Sequence, residues 1–111
     1  MPSIAEWCTK VHNCACAHGW WDKERKFPEI IALLHSEVTE AFELYRKGHP
    51  TYGIGYNVRS NKPEGIAIEL ADVVIRVMDY CARRGIDLEA AIEAKHTYNL
   101  TRPYRHGGKI V

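Results

Sequence analysis

An all-α bundle of four helices is what this sequence predicts. Two observations carry that reading: four segments have helically spaced apolar residues with glycine or proline at their ends, and no stretch alternates as a strand would. The first helix is expected over about 3–18. Ser3 followed by Glu6 reads as a capping box, and Gly19 is a stop signal. The second opens near Pro28, a residue suited to a first helical turn, and runs to Lys47 before Gly48. The third opens near Pro63 and ends before Gly85. The fourth follows Asp87, an expected N-cap, and fades before Pro103. Between helices two and three, residues 48–62 (GHPTYGIGYNVRSNK) form a connection that is long for so small a domain, as loops covering a site often are. The tail PYRHGGKIV reads as irregular.

The bulk numbers bound the rest. With 111 residues the chain is the size of one domain, 1–111, and buries roughly two thirds of its unfolded surface. That supports one core but no large enclosed active site, so a homo-oligomer is expected. A net charge of +1 argues against a general nucleic-acid binder. No run approaches the roughly 18 apolar residues of a membrane span, and the N-terminus lacks the apolar core of a signal peptide. The expected location is cytoplasmic, where Cys8, Cys14, Cys16 and Cys81 read as reduced thiols.

The acidic residues point to chemistry. Leu33, Glu37, Glu40 and Leu44 are spaced four, three and four apart, so two glutamates share a stripe with leucines on what should be a buried face. Ile66, Glu69, Asp72 and Arg76 repeat the arrangement on the third helix, beside Leu70, Val73 and Val77. A single E-x-x-E on a helix is usually a solvated face. Four carboxylates facing a core must instead be protonated, paired with cations or bound to metal. Two such pairs on neighbouring helices offer several oxygens to a hard divalent cation, which suits Mg²⁺, or Mn²⁺ in its place.

A basic end supports an anionic substrate. No acidic residue follows Glu93, whereas Lys95, Arg102, Arg105 and Lys109 do. Lys95, Asn99 and Arg102, spaced four and three apart, share a face if the helix reaches that far. Such a basic C-terminal end also complements a helix dipole. Beside a metal site, cationic and amide donors are what a polyphosphate requires.

E37-V-T-E40, then 28 residues, then E69-L-A-D72 resembles the E-x-x-E…E-x-x-D signature of the MazG-like all-α nucleoside triphosphate pyrophosphohydrolases. The likeness covers about residues 8–109, with K-x-x-x-N-x-x-R and R-H-G-G-K adding specificity. It implies cleavage of a nucleoside triphosphate, ribo or deoxyribo, to the monophosphate and pyrophosphate, and a house-cleaning role in the nucleotide pool. It implies Mg²⁺ held by Glu37, Glu40, Glu69 and Asp72, which would also carry the catalysis. Phosphates would be held by Lys95, Asn99 and Arg102, with Arg76 as a secondary candidate. The nucleobase would lie between His12 and Trp21, or the adjacent Trp20. Dimers or tetramers, with pockets at subunit interfaces, are implied as well. The rival reading of the two tryptophans is as core or interface anchors.

Other chemistries have weaker footing. H12-x-C14-x-C16-x-H18 resembles a zinc run, but on a helix these side chains spread around the cylinder. Glu93 and His96 form one E-x-x-H pair, whereas carboxylate-bridged di-iron or di-manganese bundles use two. A non-catalytic nucleotide-binding or oligomerisation module is a further alternative, against which stand four intact acidic positions.

Overall fold

The computed structural model describes residues 1–110; Val111 and the His106 side chain of the R-H-G-G-K run lie outside the described residues. The local signals act where the chain predicts them. Ser3 Oγ accepts from the Glu6 N–H (3.1 Å) and Glu6 Oε1 accepts from the Ser3 N–H (3.0 Å), so the capping box opens α1 (Ile4–Ala17). Pro28 sits in the first turn of α2 (Phe27–Arg46). α3 (Ile66–Arg84) closes on Gly85, whose φ of 69° lets the Ile86 N–H reach the Cys81 carbonyl at 2.9 Å. That bond, with Gly85 N–H to Ala82 O at 3.4 Å, is the bond pair of a Schellman motif. Asp87 caps α4 (Leu88–Asn99) by accepting from the Ala90 N–H at 3.0 Å. A single turn, α5 (Arg105–Gly108), follows.

The chain is mostly helical, with one departure from the predicted all-α class. The 48–62 connection is not irregular throughout: β1 (Gly55–Tyr56) pairs antiparallel with β2 (Pro63–Glu64). Asn57 makes the turn, its side-chain oxygen accepting from the Arg59 and Ser60 N–H groups at 2.9 and 3.1 Å. Two-residue strands are too short to show alternation, which is why the hairpin is silent in the sequence. Pro63 therefore belongs to β2 and does not open a helix. The third helix begins three residues later, after Gly65, whose φ of 123° turns the hairpin into α3.

α3 is the central element, packed on α2 along one side and on α1 along the other, while α4 leans mainly on α1. The buried apolar residues Cys8, Trp21, Ile30, Ala41, Ile66 and Cys81 mark the seams between these helices. The core is thin. No residue of α4 is buried, and Val38, Phe42 and Tyr45 on α2 and Leu70 and Val74 on α3 remain exposed. The radius of gyration, 16.7 Å, exceeds the roughly 13 Å of a compact domain of this length. Among the described residues, no helix is long and apolar enough to cross a membrane.

Candidate metal centre and adjoining cavity

The α2–α3 seam brings three of the predicted acids together. Glu37 and Glu40 approach Glu69, and one carboxylate oxygen from each lies within 4.8 Å of the other two. Glu37 is buried, Glu69 half-buried and Glu40 exposed, so the group opens to solvent on one side. Asp72, one turn beyond Glu69, shares a cavity wall with Glu37.

Crowding has an electrostatic cost. Burial pushes the Glu69 carboxyl above its ordinary value, and a hydrogen bond with Glu40 and repulsion from Glu40, Asp72 and Glu37 push it further. Asp72 is raised too, first by burial and then by Glu37, with Arg76 and Lys62 pulling the other way. Arg76 is the local counter-ion: its Nε–H donates to Glu37 Oε1 (2.8 Å), and Nη2 stands 2.7 Å from the same oxygen as an ion pair. One arginine among four carboxylates leaves a strong negative excess. An all-oxygen donor set under mutual repulsion fits a hard divalent cation.

Beside the acids lies a cavity of about 500 Å³, within the range of small-molecule sites. Glu37, Asp72 and Arg76 form one wall; Trp20, Arg25 and the end of α1 form the other. The Trp20 ring carries two guanidinium groups, Arg25 at 3.6 Å and Arg76 at 4.4 Å from its centroid. An aromatic face and two cations thus meet the carboxylates in one opening.

The two tryptophans differ in what they face. Trp20 lines the cavity. Trp21 is buried and donates its indole N–H to Asp79 Oδ1 (2.9 Å) and Oδ2 (3.0 Å), so its place is that of a core anchor. His12 turns to the same carboxylate, Nδ1 to Oδ1 2.6 Å, and does not line the cavity. Asp79 is the buried hub joining α1, the 18–26 connection and α3.

The predicted phosphate ligands do not reach the acids of their own chain. Lys95 and Asn99 line a separate shallow groove on α4 with Ala91, Ile92 and His96. Arg102 lies just past the end of α4, its guanidinium 5.9 Å from the Tyr98 ring. Arg76 alone of the predicted basic set stands in the cavity. Glu93 and His96 are exposed on α4, and among the described residues the acidic group contains no histidine. Cys14 and His18 form one i,i+4 contact and His12 and Cys16 another, without converging on a common point.

Sequence reasoning passed over Arg25 and Lys62. Arg25 has a local signal only in retrospect, five residues from Trp20 and one turn before Glu29, with which it pairs at 2.5 Å. Lys62 reaches the acids only because the hairpin folds back, and nothing in the spacing announces that.

The site defines a helical domain that presents an acidic, cation-seeking cluster beside an aromatic and basic cavity. Comparison with known protein families, with curated proteins and with solved structures finds no match for this chain.

Proposed function

We propose that this chain is a Mg²⁺-dependent nucleoside triphosphate pyrophosphohydrolase of the MazG-like kind, converting a ribo- or deoxyribonucleoside triphosphate to the monophosphate and pyrophosphate. The observation that carries the reading is the convergence of Glu37, Glu40 and Glu69 within 4.8 Å, with Asp72 next to them on the cavity wall. Glu37, Glu40, Glu69 and Asp72 hold the metal in this reading; Mn²⁺ would suit the same oxygens. Bound there, the metal supplies charge stabilisation at the phosphate and lowers the pKa of water.

The remaining work falls to the chain's own groups. One of the four carboxylates takes the proton of the attacking water. Arg76 and Arg25 lie where polyphosphate oxygens would enter the cavity, and Trp20 offers a ring on which a base of any identity can stack. Stacking requires one guanidinium to leave the ring, and a phosphate is a stronger partner for it than an indole face.

The site is incomplete in one chain, because Lys95, Asn99 and Arg102 lie elsewhere. A homo-oligomer, dimer or tetramer, resolves this by placing α4 of one subunit over the cavity of another. The exposed stripes Val38, Phe42, Tyr45 and Leu70, Val74 supply the apolar surface for such an assembly. Clearing unwanted nucleotides from a cytoplasmic pool is the role that fits. The test is release of pyrophosphate from a panel of nucleoside triphosphates with Mg²⁺ and with EDTA; orthophosphate as the product refutes the bond assignment.

A further inference from the structure

Three residues of α3 at helical spacing, Asp72, Arg76 and Asp79, line the cavity together. At the rise of an α-helix, Asp79 lies about 10 Å along α3 from Asp72. A nucleoside spans a comparable distance from its 5′ oxygen to the far edge of its base. With phosphates at the Asp72 and Arg76 end and a base stacked on Trp20, that edge meets Asp79 and the end of α1. From α1 and the turn after it, Cys14, Ala15, His18 and Gly19 line the same cavity. Stacking is indifferent to the base. The edge is not.

The hydrogen-bond donors of this wall are already committed. The Cys14 and Ala15 N–H groups lie inside α1. The His18 N–H goes to the Cys14 and Ala15 carbonyls at 3.1 and 3.3 Å, the Gly19 N–H to Cys16 O at 3.2 Å, and the Trp20 N–H to Ala15 O at 3.0 Å. His18 Nδ1 stands 2.8 Å from the Cys14 carbonyl oxygen; a carbonyl only accepts, so that nitrogen carries the hydrogen. The Cys14 thiol is left, and it is a weak donor.

The acceptors are not committed. With its hydrogen on Nδ1, the neutral His18 ring keeps a lone pair on Nε2. Asp79 receives the Trp21 N–H across both oxygens, at 2.9 and 3.0 Å, and His12 on Oδ1 at 2.6 Å. A carboxylate offers about four lone-pair positions, so Oδ2 retains capacity. The carbonyl end of α1 adds partial negative charge to the same wall.

We propose that the cavity selects bases with an exocyclic amino group, 4-aminopyrimidines and 6-aminopurines, over their oxo counterparts, with Asp79 and His18 as specificity-determining residues. The placement of the phosphates rests on the hydrolytic reading above. An amino group presents two hydrogens from one nitrogen to a wall of acceptors. An oxo base turns a carbonyl oxygen to that wall, and its ring N–H is flanked by the same oxygen. Sites built to hydrogen-bond one group reject the analogue that leaves their buried polar atoms unpaired.

The experiment measures kcat/KM for dCTP against dUTP and for dATP against dITP, with Mg²⁺ at pH 8. The amino member of each pair should be favoured about tenfold, the worth of one hydrogen bond lost with its acceptor left unpaired. His18→Leu, at an exposed position, should lower that preference to about threefold, the share of a single neutral hydrogen bond. Asp79→Asn, which can turn an amide N–H toward the base, should lower it as well. A merely structural role would change the rates of both members of a pair alike. If none of the four is hydrolysed, the hydrolytic reading fails on its own account, and the Kd values of the same four, read from tryptophan fluorescence, decide the base preference. Equal values within each pair, an oxo preference, binding of none, or a preference unchanged in His18→Leu overturns the proposal.

Discussion

Removing Arg76 tests the electrostatics of the acidic seam. In Arg76→Met the apolar stem stays and the guanidinium goes, leaving Glu37 without its 2.7 Å partner. Breaking a buried pair costs about 3–5 kcal/mol; here the Glu37 side chain is 10% exposed but Arg76 is 27% exposed, so solvent screening brings the cost to about 2–3 kcal/mol. Losing the contact with the Trp20 ring adds about 0.5 kcal/mol. With an unfolding entropy of about 2.1 cal/mol/K per residue, each kcal/mol is worth about 4 °C in this chain, so Tm in EDTA should fall by about 10–14 °C. Magnesium should then behave asymmetrically. In the wild type the ion competes with Arg76 for Glu37, whereas in Arg76→Met that carboxylate is free. At about 100 times its Kd a ligand returns about 2.7 kcal/mol, so Mg²⁺ should recover most of the loss and raise Tm more in the variant than in the wild type. The assay is a thermal melt of both proteins in EDTA and in Mg²⁺. No shift in either protein would show that these carboxylates do not gather a cation, and equal shifts in the two would show that the ion does not compete with Arg76 for Glu37.

Other perturbations have defined outcomes. Glu69 binds its proton more tightly folded than unfolded, so its contribution to stability is lost as pH rises from 4.5 through the raised folded value. Glu69→Gln should therefore stabilise the metal-free chain at pH 7, with the gain vanishing by about pH 4; melts across that range decide it, and a pH-independent difference contradicts it. Asp79→Ala orphans the buried Trp21 N–H and should cost about 2–3 kcal/mol, read as a drop in the urea midpoint; an unchanged midpoint would mean Asp79 is no hub. If α4 completes a neighbour's cavity, mixing inactive Glu40→Gln with inactive Asn99→Ala chains should restore about a quarter of wild-type activity, the share of intact sites in randomly mixed dimers. No recovery after subunit exchange would place both residues in one chain's site.

How much of this was legible in the sequence depends on the range of the interaction involved. Ser3 with Glu6, Gly85 and Asp87 act within one helical turn, and each does in the structure what its spacing predicts. The i,i+3 acids were readable because a helix converts that spacing into a shared face, and the meeting of Glu37, Glu40 and Glu69 follows once α2 and α3 pack. The choice between Trp20 and Trp21 was not readable. Adjacent residues on a connection point different ways, and only the Asp79 oxygens decide which ring turns inward. Asp79 gave no signal of its own, since an aspartate on an amphipathic helix is ordinarily solvated. Lys62 and Arg25 reach the site through the fold-back of a hairpin and the turn after α1, long-range events without a local pattern.

The central claim is a metal-dependent cleavage between the α and β phosphates of a nucleoside triphosphate. The direct measurement is chromatographic identification of products from a panel of ribo- and deoxyribonucleoside triphosphates, with wild-type protein in Mg²⁺, in EDTA, and with Glu40→Gln in Mg²⁺. The account predicts monophosphate plus pyrophosphate from the wild type with Mg²⁺ alone, and a loss of at least about 100-fold in Glu40→Gln, at the lower end of what a positioned catalytic group supplies. Diphosphate with orthophosphate, or no turnover by a folded, magnesium-saturated protein, would contradict it.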